Sequence, residues 1–230
     1  MPCILNIETS TTVCSVALTC DGQVVFRREN FEGPSHASVL GGYVQEALEM
    51  ARMRDIAPDA VAVSCGPGSY TGLRIGVSEA KGLCFGGDMP LIAVPTLEVM
   101  TCGVMFREMY DEDTLFCPMI DARRMEVYSA VYNMALQPVK PVSAEIIDEN
   151  SYGDILDRHT VCFFGNGSGK CREVLKHPNA RFIDNVHPLA ADMLALAERA
   201  FRRGEFQDVA YFEPFYLKEF VATKPKHKVI

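Results

Sequence analysis

The chain has 230 residues, a hydrophobic fraction of 48%, a charged fraction of 23% and a formal net charge of −8. Its length allows one large domain or two modest ones, each able to bury a core. No apolar run approaches the roughly 20 residues that span a bilayer, so no membrane segment is predicted. The negative charge argues against a protein that binds nucleic acid by itself, because phosphate contacts dominate such affinity.

The sequence holds nine cysteines. None lies in a CxxC motif or at zinc-ligand spacing from a histidine, and several fall inside apolar runs. This pattern is typical of free, buried thiols in a reducing compartment. The N-terminal residues also lack the basic segment of a secretory signal. We therefore expect a cytoplasmic location.

In the first half of the chain, strands are predicted over 4–7, 13–19 and 23–28, and Asp21-Gly22 predicts a tight hairpin between the last two. Apolar residues at three- and four-residue spacing then predict a helix from about Ser35 to Met53. A strand over 60–64, a glycine-rich segment, a helix from about Thr71 to Phe85 and a strand over 91–94 follow.

The second half repeats this order, beginning with strands over 115–120 and 126–132. In each half the first strand ends at an acidic residue, Glu8 or Asp121, and a Gly-x-Gly-Ser segment joins a later strand to a helix. This repetition suggests an internal duplication. We therefore predict an α/β fold with two lobes and a cleft between them. We place the boundary near Cys102, which gives lobes of residues 1–102 and 103–230.

The segment 66–76 is the strongest local signal for a site. Glycines after a strand let backbone N–H groups converge on an anion at a helix N-terminus, so Glu8, Gly66, Gly68 and Ser69 are candidates for phosphate binding. The segment is neither a P-loop nor a dinucleotide fingerprint. A tight structural turn is the alternative reading.

The helix that follows carries small residues at four-residue spacing, Gly72, Gly76 and Ala80. Glycine in a helix interior costs up to about 1 kcal/mol relative to alanine, so a compensating contact is expected. Close approach of another helix backbone would provide it. Packing within this same chain is the alternative.

Several blocks of the sequence resemble the TsaB (YeaZ) family. They are 7–10 with 14–18, 35–36, 66–76, 121–128 and 213–218. The resemblance implies a duplicated ribonuclease-H-like fold of the actin, hexokinase and Hsp70 type. It also implies a role in making threonylcarbamoyladenosine beside the anticodon of tRNA. In that family a paralogue, TsaD, performs the transfer, and TsaE is a third component.

In that family the two long helices of the first lobe meet those of TsaD as a helical bundle. The resemblance thus implies a partner surface here, made of Ser35, His36, Leu40, Tyr43, Ala47, Thr71, Gly72, Arg74, Gly76 and Ala80. Without TsaD, the surface is expected to pair with itself in a two-fold homodimer. The resemblance implies contact with tRNA through the complex. We expect no cofactor of the chain's own, with ATP bound at the level of the complex.

Two departures from related enzymes speak against catalysis. The catalytic paralogue carries metal-binding histidines four apart on its first long helix, whereas here His36 is followed by Leu40. An aspartate commonly stands where this chain has Glu8. Glu8 and Asp121 could still face each other across the cleft as paired carboxylates. We expect a non-catalytic scaffold without metal ligands.

Two enzymatic alternatives remain. A small-molecule kinase or ATPase of the same superfamily would need a metal-positioning aspartate and an adenosine pocket, and a glycoprotease-like metallopeptidase would need the missing histidine. The basic C-terminal stretch, with Lys218, Lys224, Lys226 and Lys228, is predicted to be a solvated tail.

Overall fold

The computed structural model describes residues 2–33 and 35–218. The predicted tail over 224–230 lies outside the described residues. Two five-stranded sheets form the framework. The first has the order β3-β2-β1-β4-β5 and consists of β1 (Cys3–Glu8), β2 (Cys14–Cys20), β3 (Gln23–Asn30), β4 (Ala60–Gly66) and β5 (Leu91–Pro95). The predicted Asp21-Gly22 turn joins β2 to β3, with φ of 52° and 73° at the two residues.

The second sheet repeats the first. It has the order β10-β9-β6-β7-β8 and consists of β6 (Leu115–Asp121), β7 (Glu126–Tyr132), β8 (Pro138–Ile146), β9 (Val161–Phe164) and β10 (Ala180–Ile183). In each sheet the first strand pairs antiparallel with the second and parallel with the fourth. This matched topology confirms the predicted duplicated α/β fold.

The long helices α1 (His36–Met53) and α2 (Tyr70–Gly87) lie side by side on one face of the first sheet. Their inner sides share one core with strand residues such as Leu5, Val16 and Val63. The apolar stripe of each helix therefore points at the sheet, as the spacing of these residues predicts.

The opposite face of the first sheet is covered by α3 (Thr96–Met105) and α6 (Leu194–Arg203), the latter preceded by a short 3-10 turn (Ala190–Met193). Short helices α4 (Gly153–Leu156) and α5 (Ser168–Cys171) belong to the second lobe. The chain thus returns to the first sheet after completing the second. The lobe boundary near Cys102 falls inside α3 and stays a prediction.

The structure differs in part from the prediction that the cysteines are free thiols. Cys3 and Cys20 face each other on β1 and β2, with Cα atoms 4.1 Å apart, and form a disulfide. The prediction of nine free thiols is therefore wrong for this pair. The remaining cysteines are free: Cys14, Cys65, Cys84, Cys102, Cys117, Cys162 and Cys171. Burial raises the pKa of the Cys65 thiol to about 12, which keeps it protonated.

None of the helices in the described part of the chain combines the length and the apolar character needed to cross a membrane.

Candidate functional site

A cleft of about 730 Å³ separates the two lobes. Its walls come from the turn after β1, the start of α1, the glycine-rich segment before α2, the turn after β6 and the final described segment. The polar residues on these walls include Ser10, Thr11, Thr12, His36, Ser69, Asp121, Arg123, Asn166 and Lys218. The duplicated topology places the cleft here, because the equivalent turns after β1 and β6, one from each lobe, both line it.

The glycine-rich segment packs its backbone directly on the turn after β1. The N–H of Ser69 donates to the carbonyl oxygen of Ser10 over 2.6 Å. A Cβ at Gly68 would overlap the backbone of Ser10, and a Cβ at Gly72 would overlap the carbonyl oxygen of Thr9. These glycines are therefore required for close approach within the chain.

That packing occupies backbone N–H groups that would otherwise be available to bind a phosphate. The Ser69 N–H is occupied by Ser10, and the Gly72 N–H donates to the Ser69 hydroxyl over 3.2 Å. Gly66, with φ of 110°, faces the carbonyl oxygen of Phe215 and does not line the cleft. Of the candidate phosphate residues, only Gly68 and Ser69 border the cleft, and the segment is arranged as a structural turn.

Glu8 is fully buried and is not part of the cleft wall. Its Oε1 accepts the N–H of Ser10 over 2.5 Å. Burial raises the pKa of this carboxyl to about 7, and the hydrogen bond from Ser10 opposes that shift. Glu8 therefore lies beneath the floor of the cleft, and the structure corrects the suggestion that it faces Asp121 across it.

His36 does border the cleft, but its ring is buried and its Nε2 has no hydrogen-bond partner among the described residues. Leu40, one turn later, belongs to the core of the first sheet. Across residues 2–33 and 35–218, no three His, Cys, Asp or Glu side chains converge as metal ligands would.

The second lobe contributes an ordered polar wall. The N–H of Asp121 donates to the Asn166 side chain over 2.9 Å, and the Lys170 ammonium group forms an ion pair with the Asp121 carboxylate. Asn166 belongs to the repeated Gly-x-Gly-Ser segment, and that repetition was the signal that could have marked it. The tyrosine pair Tyr70 and Tyr216, with ring centroids 4.7 Å apart, was not anticipated from the sequence.

The ten residues predicted for a partner surface differ in their exposure to solvent. Thr71 and Arg74 are exposed, whereas Ser35 and Tyr43 are half-buried. The others are buried within the chain: His36, Leu40, Ala47, Gly72, Gly76 and Ala80. A Cβ at Gly76 would overlap the hydroxyl of Thr9, and Ala80 lies in the core.

This placement corrects the explanation for the small residues of α2. Gly72 and Gly76 meet the turn after β1, and Ala80 meets the sheet, so no partner helix can rest on them in this fold. The predicted interface itself stays a prediction, and only the outward residues of α1 and α2 can carry it.

The outward faces of these helices carry glycines of their own. Among the described residues, no atom beyond the flanking residues and the helix's own backbone lies within 4 Å of the position that a Cβ would occupy at Gly41 and Gly42 on α1 or at Gly82 and Gly86 on α2. Phe85, between the last two, is 88% exposed, and Met53 at the end of α1 is 74% exposed. The sequence showed these glycines, but not which of the small residues face outward.

Comparison with known proteins finds relatives over nearly the whole chain. Residues 32–225 match the family model described as TsaD: tRNA N6-adenosine threonylcarbamoyltransferase. The chain is 33% identical to the tRNA threonylcarbamoyladenosine biosynthesis protein TsaB of Escherichia coli (strain K12), over 96% of each chain. It is 27% identical to the protein of the same name from Haemophilus influenzae, over 96% of this chain and 95% of that one.

The structural similarity is equally extensive. The solved structure of YeaZ from Pseudomonas aeruginosa superposes with a TM-score of 0.76 at 28% identity, covering 94% of this chain and all of that one. A second structure, described as an uncharacterized protein with similarity to peptidase YEAZ from Pseudomonas aeruginosa, gives a TM-score of 0.81 at 27% identity, over 95% of this chain and all of that one.

Proposed function

The chain belongs to the TsaB (YeaZ) family of tRNA threonylcarbamoyladenosine biosynthesis proteins, and we propose that it is the non-catalytic subunit of the assembly that makes this modification. In this proposal it binds a TsaD-type catalytic subunit, works with a TsaE-type ATPase in the cytoplasm, and meets tRNA through the complex. It holds no cofactor of its own, and ATP is bound at the level of the complex.

The contents of the cleft support a non-catalytic role. The carboxyl of Glu8 lies beneath the floor, where it cannot reach a ligand in the cleft. Two backbone donors at the start of α2 are already occupied by Ser10 and Ser69. A small-molecule kinase or ATPase would need such groups directed at a phosphate, so this alternative finds less support.

The observation that carries the proposed interface is the set of four outward glycines on α1 and α2. In a helix interior a glycine costs roughly 0.5–1 kcal/mol relative to alanine, and in the described part of the chain no contact beyond their own helix requires these four residues to be small. A partner helix packed on smooth faces could approach closely and gain dispersion contacts. The exposed Phe85 and Met53 would add apolar surface, and such residues are enriched at interfaces.

The same surface would form a homodimer in the absence of TsaD, because a two-fold axis brings identical patches together. Gly82→Arg tests both assemblies. Since the site is open, the variant is expected to fold, whereas a large cation there should block close helix packing. Light scattering would report the homodimer, and co-elution with the TsaD-type subunit would report the complex.

Gly169→Arg is the matched control, because Gly169 is also exposed and equally open but lies on α5 of the second lobe. We expect Gly82→Arg to lose both assemblies and Gly169→Arg to keep both. If folded Gly82→Arg retains wild-type affinity for the TsaD-type subunit, the interface lies elsewhere.

A further inference from the structure

The chain contains three arginine doublets, 27–28, 123–124 and 202–203. In two of them an acidic side chain pairs with one or both arginines. Arg28 pairs with Glu46 at 2.6 Å. Arg202 pairs with Glu198 at 2.8 Å, and Arg203 pairs with Glu205 at 3.6 Å.

The remaining doublet, Arg123 and Arg124, has no ion pair or side-chain hydrogen bond within the described part of the chain, and both residues are exposed. The acids beside it are already neutralised, since Asp121 pairs with Lys170 and Glu126 pairs with Lys218. The two arginines therefore leave a local excess of positive charge on a chain whose net charge is −8.

The backbone of this doublet is also unusual. Both arginines have positive φ, 73° and 51°, in the turn that joins β6 to β7. Glycine, asparagine and aspartate adopt this conformation most readily, and other side chains there are strained. A residue type that is strained in its backbone conformation lowers stability. When its side chain makes no stabilising contact, such a residue indicates a functional position.

Arg123 lines the cleft, and Arg124 follows it in the same turn. The aromatic side chains Tyr70, Tyr128 and Tyr216 also line the cleft, and the rings of Tyr70 and Tyr216 contact each other. Arginine binds phosphate, and tyrosine rings accept unstacked bases, so this combination suits single-stranded RNA better than an acidic protein segment.

We propose that Arg123 and Arg124 bind the phosphate backbone of RNA at the mouth of the cleft. The choice of tRNA as that RNA rests on the proposed function. A net negative chain is repelled by RNA as a whole, so the contact is local and supplements the binding by other subunits.

The variant Arg123→Asn/Arg124→Gly tests this inference, because it removes both charges and introduces residues suited to positive φ. Its melting temperature should equal or exceed that of the wild type, by up to about 2–4 °C. The affinity of the full chain with its TsaD-type subunit for tRNA, measured by fluorescence anisotropy, should fall on the order of tenfold. The slope of log affinity against log salt should decrease by about 2.

Arg202→Gln/Arg203→Gln is the control, since it removes the same charge from a doublet that is already paired. It should leave the salt slope unchanged. An unchanged slope in the Asn/Gly variant would overturn the inference, as would a melting temperature lower by several degrees. Loss of assembly with the TsaD-type subunit while RNA binding persists would also overturn it, because the doublet would then serve a protein partner.

Assembly is measured separately, without RNA. If the wild-type chain does not assemble with a TsaD-type subunit, the proposed function fails. The salt slopes of the full chain alone then decide the inference, and a lack of RNA binding there would overturn it.

Discussion

The carbonyl oxygen of Thr9 occupies the space that a side chain on Gly72 would need, and the Thr9 hydroxyl donates to the carbonyl oxygen of Gly72 over 2.8 Å. The turn after β1 and the start of α2 are therefore locked together at van der Waals contact. The glycine block that resembles a ligand-binding loop in the sequence holds the floor of the cleft in place.

Gly72→Ala should accordingly destabilise the chain by about 1–3 kcal/mol, because the added methyl group meets a backbone atom that cannot move away cheaply. Gly82→Ala, on the open side of the same helix, should stabilise it by up to about 1 kcal/mol through helix propensity. Denaturant unfolding of both variants measures the difference. Equal effects would mean that α2 does not pack on Thr9 as described.

Ala80→Arg should unfold the chain or reduce its stability severely. Ala80 is fully buried in the core between α2 and the first sheet, where an arginine would be a large charge without a partner. Circular dichroism and thermal melting would detect the loss. A folded, monomeric Ala80→Arg would instead place this residue on an open surface and contradict the packing of α2.

The stability of the chain should depend on pH through Glu8. Burial raises the pKa of this carboxyl from 4.5 to about 7, so between these values the folded state binds a proton that the unfolded state has released. The contribution of Glu8 to stability should therefore be most favourable below about pH 4.5 and decline as pH rises toward 7. The loss through this group is on the order of 3 kcal/mol.

Glu8→Gln should flatten this decline, because the amide stays neutral across the range. Unfolding free energies from pH 5 to pH 8 would be compared with those of wild type and of Glu112→Gln, which replaces an exposed glutamate. The contribution of Glu8 is the difference between the curves, since Asp192 also has a raised pKa and acts in the same direction. A Glu8→Gln curve parallel to wild type would contradict a buried, ionisable Glu8.

The isolated chain should neither hydrolyse ATP nor cleave peptides, and tRNA modification should appear only when the TsaD-type subunit is added. The physical reason is that the N–H groups of Ser69 and Gly72 already donate to Ser10 and Ser69 within the chain. Turnover assays on the chain alone measure this. ATP turnover that disappears on substitution of a cleft residue such as Asp121 would establish an enzyme instead.

Local patterns by themselves determined the order of strands and long helices from β1 to β5, the first two strands of the second lobe, the Asp21-Gly22 hairpin and the duplication. Each of these depends on residues close together in the chain, through the spacing of apolar side chains or the backbone freedom of turn residues. The acidic residues that end β1 and β6 marked the two equivalent turns, one on each side of the cleft.

Only the tertiary structure decided which face of α2 is buried, because glycine and alanine carry too little apolar surface for hydrophobic periodicity to mark a side. It placed Glu8 beneath the cleft, and it brought Cys3 opposite Cys20 through a strand register that no tight turn sets in advance. Within the described part of the chain, it also distinguished Arg123 and Arg124, which have no ion pair, from the doublets 27–28 and 202–203, in which at least one arginine has one. Glu46, the partner of Arg28, is distant from it in sequence, and spacing along the chain cannot reveal that contact.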